Sequence, residues 1–168
     1  KNSDHPLCIV KEMVFDYIDN LARIEIENPY VPIEYNFDML RVSQDHPSRQ
    51  PTDTYYKDEK TCLRTHMTCY LYPLGHSDSG QSKLKYITCG DVYRKDTIDS
   101  SHYPVFHQMD AFCMVPDNVD VKKDLRKRLA GLVKHLFGNK VEHQFLEDSE
   151  HEEVYFPFTV DSLEVSVT

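Results

Sequence analysis

Residues 91–110, Asp-Val-Tyr-Arg-Lys-Asp-Thr-Ile-Asp-Ser-Ser-His-Tyr-Pro-Val-Phe-His-Gln-Met-Asp, decide the fold of this chain. The segment enters through the β-prone residues Val92 and Tyr93, continues as a polar stretch to Pro104, and leaves through a run from Phe106 to Met114 that alternates between two faces. Two β-prone runs separated by turn-forming residues are typical of a hairpin. The stretch therefore predicts an antiparallel β-hairpin with a long loop.

The exit strand of this hairpin offers chemically different side chains on one face. Because successive side chains of a strand point to opposite faces, Phe106, Gln108 and Asp110 share a face, and Arg94 lies on the entry side. An arginine fork pairs with phosphate oxygens, and a carboxylate with an amide can hold an ammonium group. The face thus suits a ligand with a phosphate, a flat base and an amine, although ordinary cross-strand pairs would give the same pattern.

The hairpin stretch resembles the second signature motif of class II aminoacyl-tRNA synthetases, in the form found in phenylalanyl-tRNA synthetases. Three further blocks agree with that family in the same chain order: Asn36-Phe-Asp with Asp45-His-Pro-Ser-Arg49 and Tyr55-Tyr56, then Leu63-Arg-Thr-His-Met-Thr68, then Phe156-Pro-Phe-Thr159 with Ser162-Leu-Glu-Val165. Phe-Pro-Phe resembles the bacterial and organellar enzymes, whereas the eukaryotic cytosolic ones have Asn-Pro-Tyr. The chain is most similar to the single-chain mitochondrial type, with an apicoplast or plastid relative as the alternative.

The resemblance implies an ATP site on the hairpin. Arg94 would act as the catalytic arginine that contacts the α-phosphate, His102 would approach the outer phosphates, and Phe106 would stack on the adenine. Mg²⁺ is implied as the ion that bridges the phosphates of ATP, and no residue of this chain is assigned to it.

The resemblance also implies a site for phenylalanine. The residues expected to hold the polar end of the amino acid are His66, Thr68, Gln108 and Asp110. Phe156 and Phe158 would hold its ring. Asp110 stands where the family has Glu, Thr68 stands where it has Ser, and Val160-Asp161 replaces Glu-Pro.

These resemblances predict an α+β fold, the class II synthetase catalytic core with an antiparallel sheet flanked by helices, over residues 1–168. The chain stops before the family's third motif, so we expect this piece alone to have little activity. The implied function is that of a phenylalanine-tRNA ligase, which activates phenylalanine with ATP and transfers it to tRNA(Phe) in translation. The alternative is a non-catalytic synthetase-like paralogue, or a fragment with an interaction role.

Composition limits the class of protein and its partners. The chain has 168 residues, enough to bury a full core, and 40% of them are hydrophobic. Its net charge of −9 has the wrong sign for neutralising an RNA backbone, so we expect tRNA to bind mainly through regions outside this chain. No window has the roughly 18 apolar residues that cross a membrane. We expect a mitochondrial matrix protein, monomeric as in the organellar type.

Hydrophobic periodicity predicts two amphipathic helices. The first has Leu7, Val10, Val14, Ile18 and Leu21 on one side, with Asp4 or Ser3 as its cap, and the second runs from a cap at Asn118 or Asp120 to Gly138. The basic run of Lys122, Lys123 and residues 126–128 is interpreted as the solvated face of the second helix, with a phosphate contact as the alternative. Short strands are predicted over residues 33–37, 141–146 and 163–167.

Overall fold

The computed structural model describes residues 4–75, 85–95, 97–147, 157–159 and 162–167. Its helices are α1 (Pro6–Tyr17), α2 (Ile33–Asn36), α3 (Leu71–Gly75) and α4 (Val121–Phe137), with 3₁₀ turns at Asp38–Leu40, Pro47–Arg49 and Met67–Tyr70. Its strands are β1 (Ala22–Glu25), β2 (Tyr30–Pro32), β3 (Thr61–Leu63), β4 (Lys85–Tyr93), β5 (Val105–Cys113), β6 (His143–Glu147) and β7 (Leu163–Val167). The described residues from Leu21 to Met114 form one compact unit, and those before and after that range form a second.

The predicted hairpin is the centre of the unit formed by residues 21–114. Strands β4 and β5 pair antiparallel over their whole length, from Lys85 opposite Cys113 to Tyr93 opposite Val105. Strand β1 pairs with β4 in parallel, which the sequence did not predict. The unit therefore contains a three-stranded sheet in the order β1-β4-β5, and the expected α+β class is confirmed.

The register of the hairpin sets which side chains share a face. Phe106, Gln108 and Asp110 lie on one face of β5, as predicted, together with Phe112, and the partners of these four residues on β4 are Val92, Gly90, Thr88 and Tyr86. Among these partners, Tyr86, Thr88 and Val92 are buried. The candidate ligand-binding side chains of β5 therefore stand beside a buried part of the sheet.

A core cluster includes residues of the two-stranded antiparallel sheet formed by β2 and β3. It contains the buried side chains of Val31, Phe37, Cys62 and Cys69. Burial raises the pKa of the Cys62 and Cys69 thiols to about 12, so both remain protonated and act as small apolar groups rather than nucleophiles.

The strand predicted over residues 33–37 is wrong. Ile33–Asn36 forms a single helical turn, and the Phe37 amide donates to the Ile33 carbonyl at 3.0 Å. The strand in this region is Tyr30–Pro32. Pro32 lacks an amide proton, and the chain leaves the sheet there.

The other unit contains α1, α4 and the antiparallel β6–β7 hairpin. The Tyr17 hydroxyl of α1 donates to the Arg128 carbonyl of α4 at 3.0 Å. Any side chain at Gly131 would overlap the Tyr17 hydroxyl. These contacts explain how the two helices pack closely.

The helix predictions are partly confirmed. Asp120 caps α4 by accepting from the Lys123 amide at 3.0 Å, and the helix ends at Gly138, whose φ of 85° suits glycine. Helix α1 is capped by the His5 side chain instead of Asp4, and Ser3 lies outside the described residues.

The predicted apolar stripes are only partly buried. Leu7 and Val10 of α1 are about half exposed, and the buried residues of that helix are Val14 and Phe15. In the basic run of α4, Arg128 pairs with Asp124 at 2.6 Å. None of the helices in the described part of the chain is long and apolar enough to cross a membrane.

Candidate active site

Residues 64–67, which directly follow β3, are hydrogen-bonded to the β4–β5 hairpin. The Tyr93 amide donates to the Arg64 carbonyl at 2.9 Å, and Arg94 Nε donates to the Thr65 carbonyl at 3.1 Å. The Met67 amide donates to Gln108 Oε1 at 3.1 Å. Two sequence blocks that were recognised separately are therefore joined by hydrogen bonds at the candidate site.

The buried side chain of Arg64 fixes this segment by hydrogen bonds, a role that the sequence did not predict. Its side chain is only 1% exposed. The guanidinium donates to the carbonyls of Asp91 (2.6 Å), Asn28 (3.0 Å) and Ile26 (3.1 Å), and to the Tyr70 hydroxyl at 3.1 Å. These acceptors offset the cost of burying a charge.

Gly90 makes room for the buried guanidinium of Arg64. A Cβ atom at position 90 would lie 2.5 Å from Arg64 Nη2 and 3.3 Å from the Ile26 carbonyl oxygen. A glycine inside a strand often marks such a close approach, and this is the sequence signal that could have revealed the Arg64 site.

Asn36 ties the first recognised block to the segment of residues 64–67. Its side chain is fully buried, donates to Thr65 Oγ1 at 2.9 Å and accepts from the Thr65 amide at 3.1 Å. Its backbone carbonyl lies 2.9 Å from His66 Nε2. Because a carbonyl can only accept, Nε2 carries the proton and Nδ1 of His66 has the lone pair.

His66 Nδ1 is a buried acceptor without a hydrogen-bond partner among the described residues. Burial lowers the pKa of His66 to about 4, an effect that the Asn36 carbonyl opposes and the charge of Arg94 reinforces. The imidazole is therefore neutral at physiological pH. It can accept a hydrogen bond from an ammonium or hydroxyl group.

Asp110 and Gln108 supply further polar groups on the β5 face. Burial raises the pKa of Asp110, and a hydrogen bond from the Thr68 side chain partly offsets that rise. The carbonyl oxygen of Gln108 is taken by Met67, which leaves the amide nitrogen as the donor that can meet a ligand. An ammonium group placed between these side chains would stabilise the Asp110 carboxylate.

Arg94 and Phe106 form the other end of the site. The Arg94 guanidinium carbon lies 5.1 Å from the centroid of the Phe106 ring, within cation–π range. Its Nε is held by Thr65, so its position is fixed while its terminal nitrogens can meet an anion. Phe106 and Asp110 are four residues apart on one strand, which separates them by about 13 Å.

His102 lies in the exposed loop between β4 and β5, with its side chain 58% exposed. Asp99 accepts from the amides of Ser101 and His102, both at 2.7 Å, and its carboxylate is 2.8 Å from His102 Nδ1. These bonds lower the pKa of Asp99, the Ser101 amide contributing most. The structure thus places His102 beside a carboxylate in solvent and away from the buried residues of the site.

The described residues do not test the predicted role of two phenylalanines in holding a substrate ring. Phe156 lies outside the described residues. Phe158 is half-buried and belongs to the unit that contains α1 and α4. Their predicted role stays a prediction.

The recognised block that begins with Asn36-Phe-Asp and includes Asp45-His-Pro-Ser-Arg49 is held by its own contacts. Arg49 Nη2 donates to Asp38 Oδ1 at 2.5 Å and to the Val42 carbonyl at 2.7 Å. Its guanidinium carbon lies 4.8 Å from the Phe37 ring centroid. Lys95, which follows Arg94, donates to the Pro51 carbonyl at 2.7 Å, so this region also supports the entry to the hairpin loop.

An apolar cavity of about 290 Å³ lies within the unit formed by residues 21–114. The sequence analysis did not predict it. It is lined by Met39, Leu40, Leu71, Tyr72, Gly75, Phe112 and Met114.

The sheet, the hairpin and the polar groups on its face together define the class of protein. The chain belongs to the family of class II tRNA synthetase core domains, described as "tRNA synthetases class II core domain (F)", whose model matches residues 1–168. Among solved structures, a pyrrolysyl-tRNA synthetase from Desulfitobacterium hafniense is similar, with a TM-score of 0.73 and 14% sequence identity. The likeness covers 96% of this chain and 54% of that one, and at this identity it shows the fold alone.

More similar sequences are named as phenylalanine–tRNA ligases. A chloroplastic/mitochondrial one from Arabidopsis thaliana is 38% identical over 99% of this chain and 40% of its own length. A mitochondrial one from Dictyostelium discoideum is 30% identical over 98% and 42%, and an alpha subunit from Clostridium botulinum is 32% identical over 98% and 46%. The chain therefore spans less than half the length of these relatives.

Proposed function

We propose that this chain is the catalytic core of a phenylalanine–tRNA ligase, which activates phenylalanine with ATP and transfers it to tRNA(Phe). One observation carries the proposal: a single face of the β4–β5 hairpin has an arginine beside an aromatic ring at one end and acceptors for an ammonium group at the other. Arg94 and Phe106 form the first end, and Asp110, which accepts a hydrogen bond from the Thr68 side chain, belongs to the second. A ligand that joins a nucleotide to an amino acid has its groups in that order.

This reaction requires the protein to position the reactants and to stabilise developing charge. A carboxylate oxygen of phenylalanine forms a bond to the α-phosphorus as the bond to pyrophosphate breaks, and a ribose hydroxyl of tRNA(Phe) then attacks the adenylate. Arg94, fixed through Nε by Thr65, would stabilise the charge that develops on the phosphate oxygens. His66, Gln108 and Asp110 would hold the ammonium end so that the carboxylate points along the hairpin toward Arg94.

Mg²⁺ would arrive with the phosphates of ATP. Among the described residues, no group of three or more His, Cys, Asp or Glu side chains could hold a metal ion. His102 is proposed to reach the outer phosphates only after its contact with Asp99 is exchanged for one with the ligand.

The test is phenylalanine-dependent pyrophosphate exchange by the full-length protein. Arg94→Ala should reduce exchange at least about a hundredfold, because one charge-assisted contact in a shielded site is worth about 3 kcal/mol. Arg23→Ala is the matched control, since it removes an exposed arginine from β1 of the same sheet. Equal activity of the two variants would remove Arg94 from the site. No exchange by the native protein would favour the non-catalytic paralogue.

We further propose that the protein acts in an organelle, the mitochondrial matrix or a plastid or apicoplast, because several relatives carry mitochondrial or chloroplastic names. A monomer is expected for the organellar type, while the alpha-subunit relative supports a partner subunit as the alternative. The net charge of −9 supports the proposal that tRNA binds mainly to regions outside this chain. The mass of the native protein in solution separates the monomer from the assembly with a second subunit.

A further inference from the structure

We propose that Asn36 is a positioning residue for Arg94, and that it acts through the backbone of Thr65 without touching a ligand. This inference rests on the proposed function, because it takes Arg94 to be the group that stabilises the phosphate charge. The resemblance includes Asn36 in a recognised block but implies no chemical role for it. The role follows from a chain of hydrogen bonds that begins at the Asn36 side chain and ends at the Arg94 guanidinium.

The side chain of Asn36 has one orientation that satisfies its surroundings. It is fully buried, its Oδ1 accepts from the Thr65 amide at 3.1 Å, and its Nδ2 donates to Thr65 Oγ1 at 2.9 Å. Because a backbone amide can only donate, the carboxamide oxygen has to face it. Thr65 is itself 5% exposed. Asn36 therefore fixes both the backbone and the side chain of a buried residue.

The peptide group between Arg64 and Thr65 is held from two sides. It is trans and planar, so its N–H and its C=O point in opposite directions. The N–H donates to Asn36 on one side, and the C=O accepts from the Tyr93 amide at 2.9 Å on the other. Asn36 and the end of β4 are thus connected across one rigid group. Tyr93 is the residue directly before Arg94.

The side chain of Arg94 takes its position from the same residue. The Thr65 carbonyl accepts from Arg94 Nε at 3.1 Å, while the Arg94 amide donates to the Pro104 carbonyl at 3.0 Å. The hairpin therefore fixes the backbone of Arg94, and Thr65 fixes its long side chain. A rotation of the backbone at Thr65 would move the acceptor of Nε and would shift the guanidinium with it.

This arrangement predicts an effect on the rate of reaction more than on substrate binding. Stabilisation of developing charge depends on donors that are in place before the charge forms, so a displaced Arg94 should slow the chemical step. His66 is held separately, because its Nε2 donates to the backbone carbonyl of Asn36 at 2.9 Å. A substitution of the Asn36 side chain leaves that carbonyl in place. The KM for phenylalanine should then stay close to native.

The experiment measures kcat and KM in phenylalanine-dependent pyrophosphate exchange by the full-length protein. Asn36→Leu removes both side-chain hydrogen bonds and should lower kcat roughly 10- to 100-fold, since a misplacement of about 1 Å can cost about a hundredfold in rate. Thr65→Val removes only the hydroxyl contact and should lower kcat less. Thr65→Ser keeps a hydroxyl group and should restore kcat toward the native value.

Thr54→Val is the matched control for loss of a buried threonine hydroxyl. Thr54 is fully buried in the same unit, and its hydroxyl donates to the Ser48 carbonyl at 2.7 Å. Thr54→Val makes the same chemical change as Thr65→Val and is expected to lower the melting temperature in a similar way. Its kcat should stay native, because the lost bond does not lead to Arg94.

A double substitution tests whether the effect of Asn36 passes through Arg94. Asn36→Leu is made in the native protein and in the Arg94→Ala protein, and the fractional loss of kcat is compared. If Asn36 acts through Arg94, the loss should disappear once the guanidinium is absent, because the two residues then act as one unit. A role in folding alone would give the same fractional loss in both proteins.

The outcomes that would overturn the proposal are distinguishable. A native kcat in folded Asn36→Leu, or an equal fractional loss with and without Arg94, would remove the positioning role and leave the proposed function intact. A native kcat with a raised KM for phenylalanine would place the effect at His66 instead. Absence of phenylalanine-dependent exchange in the native protein would overturn the proposed function and this inference with it. If Asn36→Leu does not fold, Thr65→Val decides, and a kcat equal to those of Thr65→Ser and Thr54→Val would contradict the proposal.

Discussion

The two nitrogens of His66 have different tasks, and two substitutions can separate them. His66→Gln places an amide nitrogen near the position of Nε2, so it can still donate to the Asn36 carbonyl, but nothing replaces Nδ1 as an acceptor. His66→Asn places a carbonyl oxygen near Nδ1 and is too short to reach Asn36. The present structure has both groups, with Nε2 2.9 Å from the Asn36 carbonyl and Nδ1 buried without a described partner.

The magnitudes follow from what each variant loses. A hydrogen bond to a charged ammonium group contributes about 1.5–3 kcal/mol, so His66→Gln should bind phenylalanine roughly 10- to 150-fold more weakly with little change in stability. His66→Asn keeps the acceptor but leaves the buried Asn36 carbonyl unpaired. Its expected cost is about 1–3 kcal/mol of folding free energy, with a smaller loss of phenylalanine affinity.

The assay combines the KM for phenylalanine in pyrophosphate exchange with urea denaturation of the full-length variants. Inhibition by 3-phenylpropionate, which lacks the ammonium group, is measured in parallel and should be the same for native protein and His66→Gln. If His66→Gln kept the native KM, Nδ1 would not contact the substrate. If it lost 3-phenylpropionate and phenylalanine equally, the imidazole would face the carboxylate instead, and Nδ1 would carry a proton.

Two further predictions concern stability. Gly90→Ala should destabilise the protein by about 1–3 kcal/mol in urea denaturation because its Cβ would overlap the Arg64 guanidinium. The loss of stability should be smaller when the same substitution is made in an Arg64→Met protein. Equal losses in the native and the Arg64→Met proteins would contradict this explanation. As the pKa of His66 falls from 6.5 unfolded to about 4 folded, stability should fall by up to about 3 kcal/mol as pH drops through that window. His66→Gln should abolish this slope, while Asp110→Asn should steepen it, since the raised pKa of Asp110 acts in the opposite sense.

The hairpin and its shared face could be predicted because strand geometry is local. Alternation with a period of two places Phe106, Gln108 and Asp110 together whatever the rest of the chain does, and the register of β4 and β5 confirms that placement. The α4 cap at Asp120 is also a local interaction, three residues long. Local patterns therefore gave the scaffold of the site.

The support of the site could not be predicted in the same way because its partners are distant in sequence. Asn36 bonds Thr65 across 29 residues, and Arg64 bonds Asp91 across 27. No periodicity encodes such pairs. The family resemblance included both the block with Asn36 and the block with Thr65, but it did not predict that they are hydrogen-bonded to each other. It also did not predict that His66 Nδ1 has no described hydrogen-bond partner.

The distribution of unpaired polar groups bears on whether the chain is a ligase core or a paralogue that kept only the fold. In the described part of the chain, the buried side-chain atoms without a hydrogen-bond partner are Arg49 Nε, His66 Nδ1 and the Tyr86 hydroxyl. Tyr86 lies on the site face opposite Phe112. Burial raises the pKa of its hydroxyl, and the charge of Asp110 adds to that rise. Buried unpaired groups each cost about 1–3 kcal/mol.

A paralogue without a ligand would gain stability by replacing His66 and Asp110 with apolar residues of similar size, since buried ionisable groups are often less stable than apolar substitutes. An ammonium-bearing ligand would instead satisfy the His66 acceptor and favour the ionised form of Asp110 at once. Binding would then stabilise the fold in proportion to the ligand concentration above its dissociation constant. The buried His66 acceptor without a described partner and the Asp110 carboxyl group whose pKa is raised by burial are therefore better explained by a site that binds an amine than by a core that only has to fold.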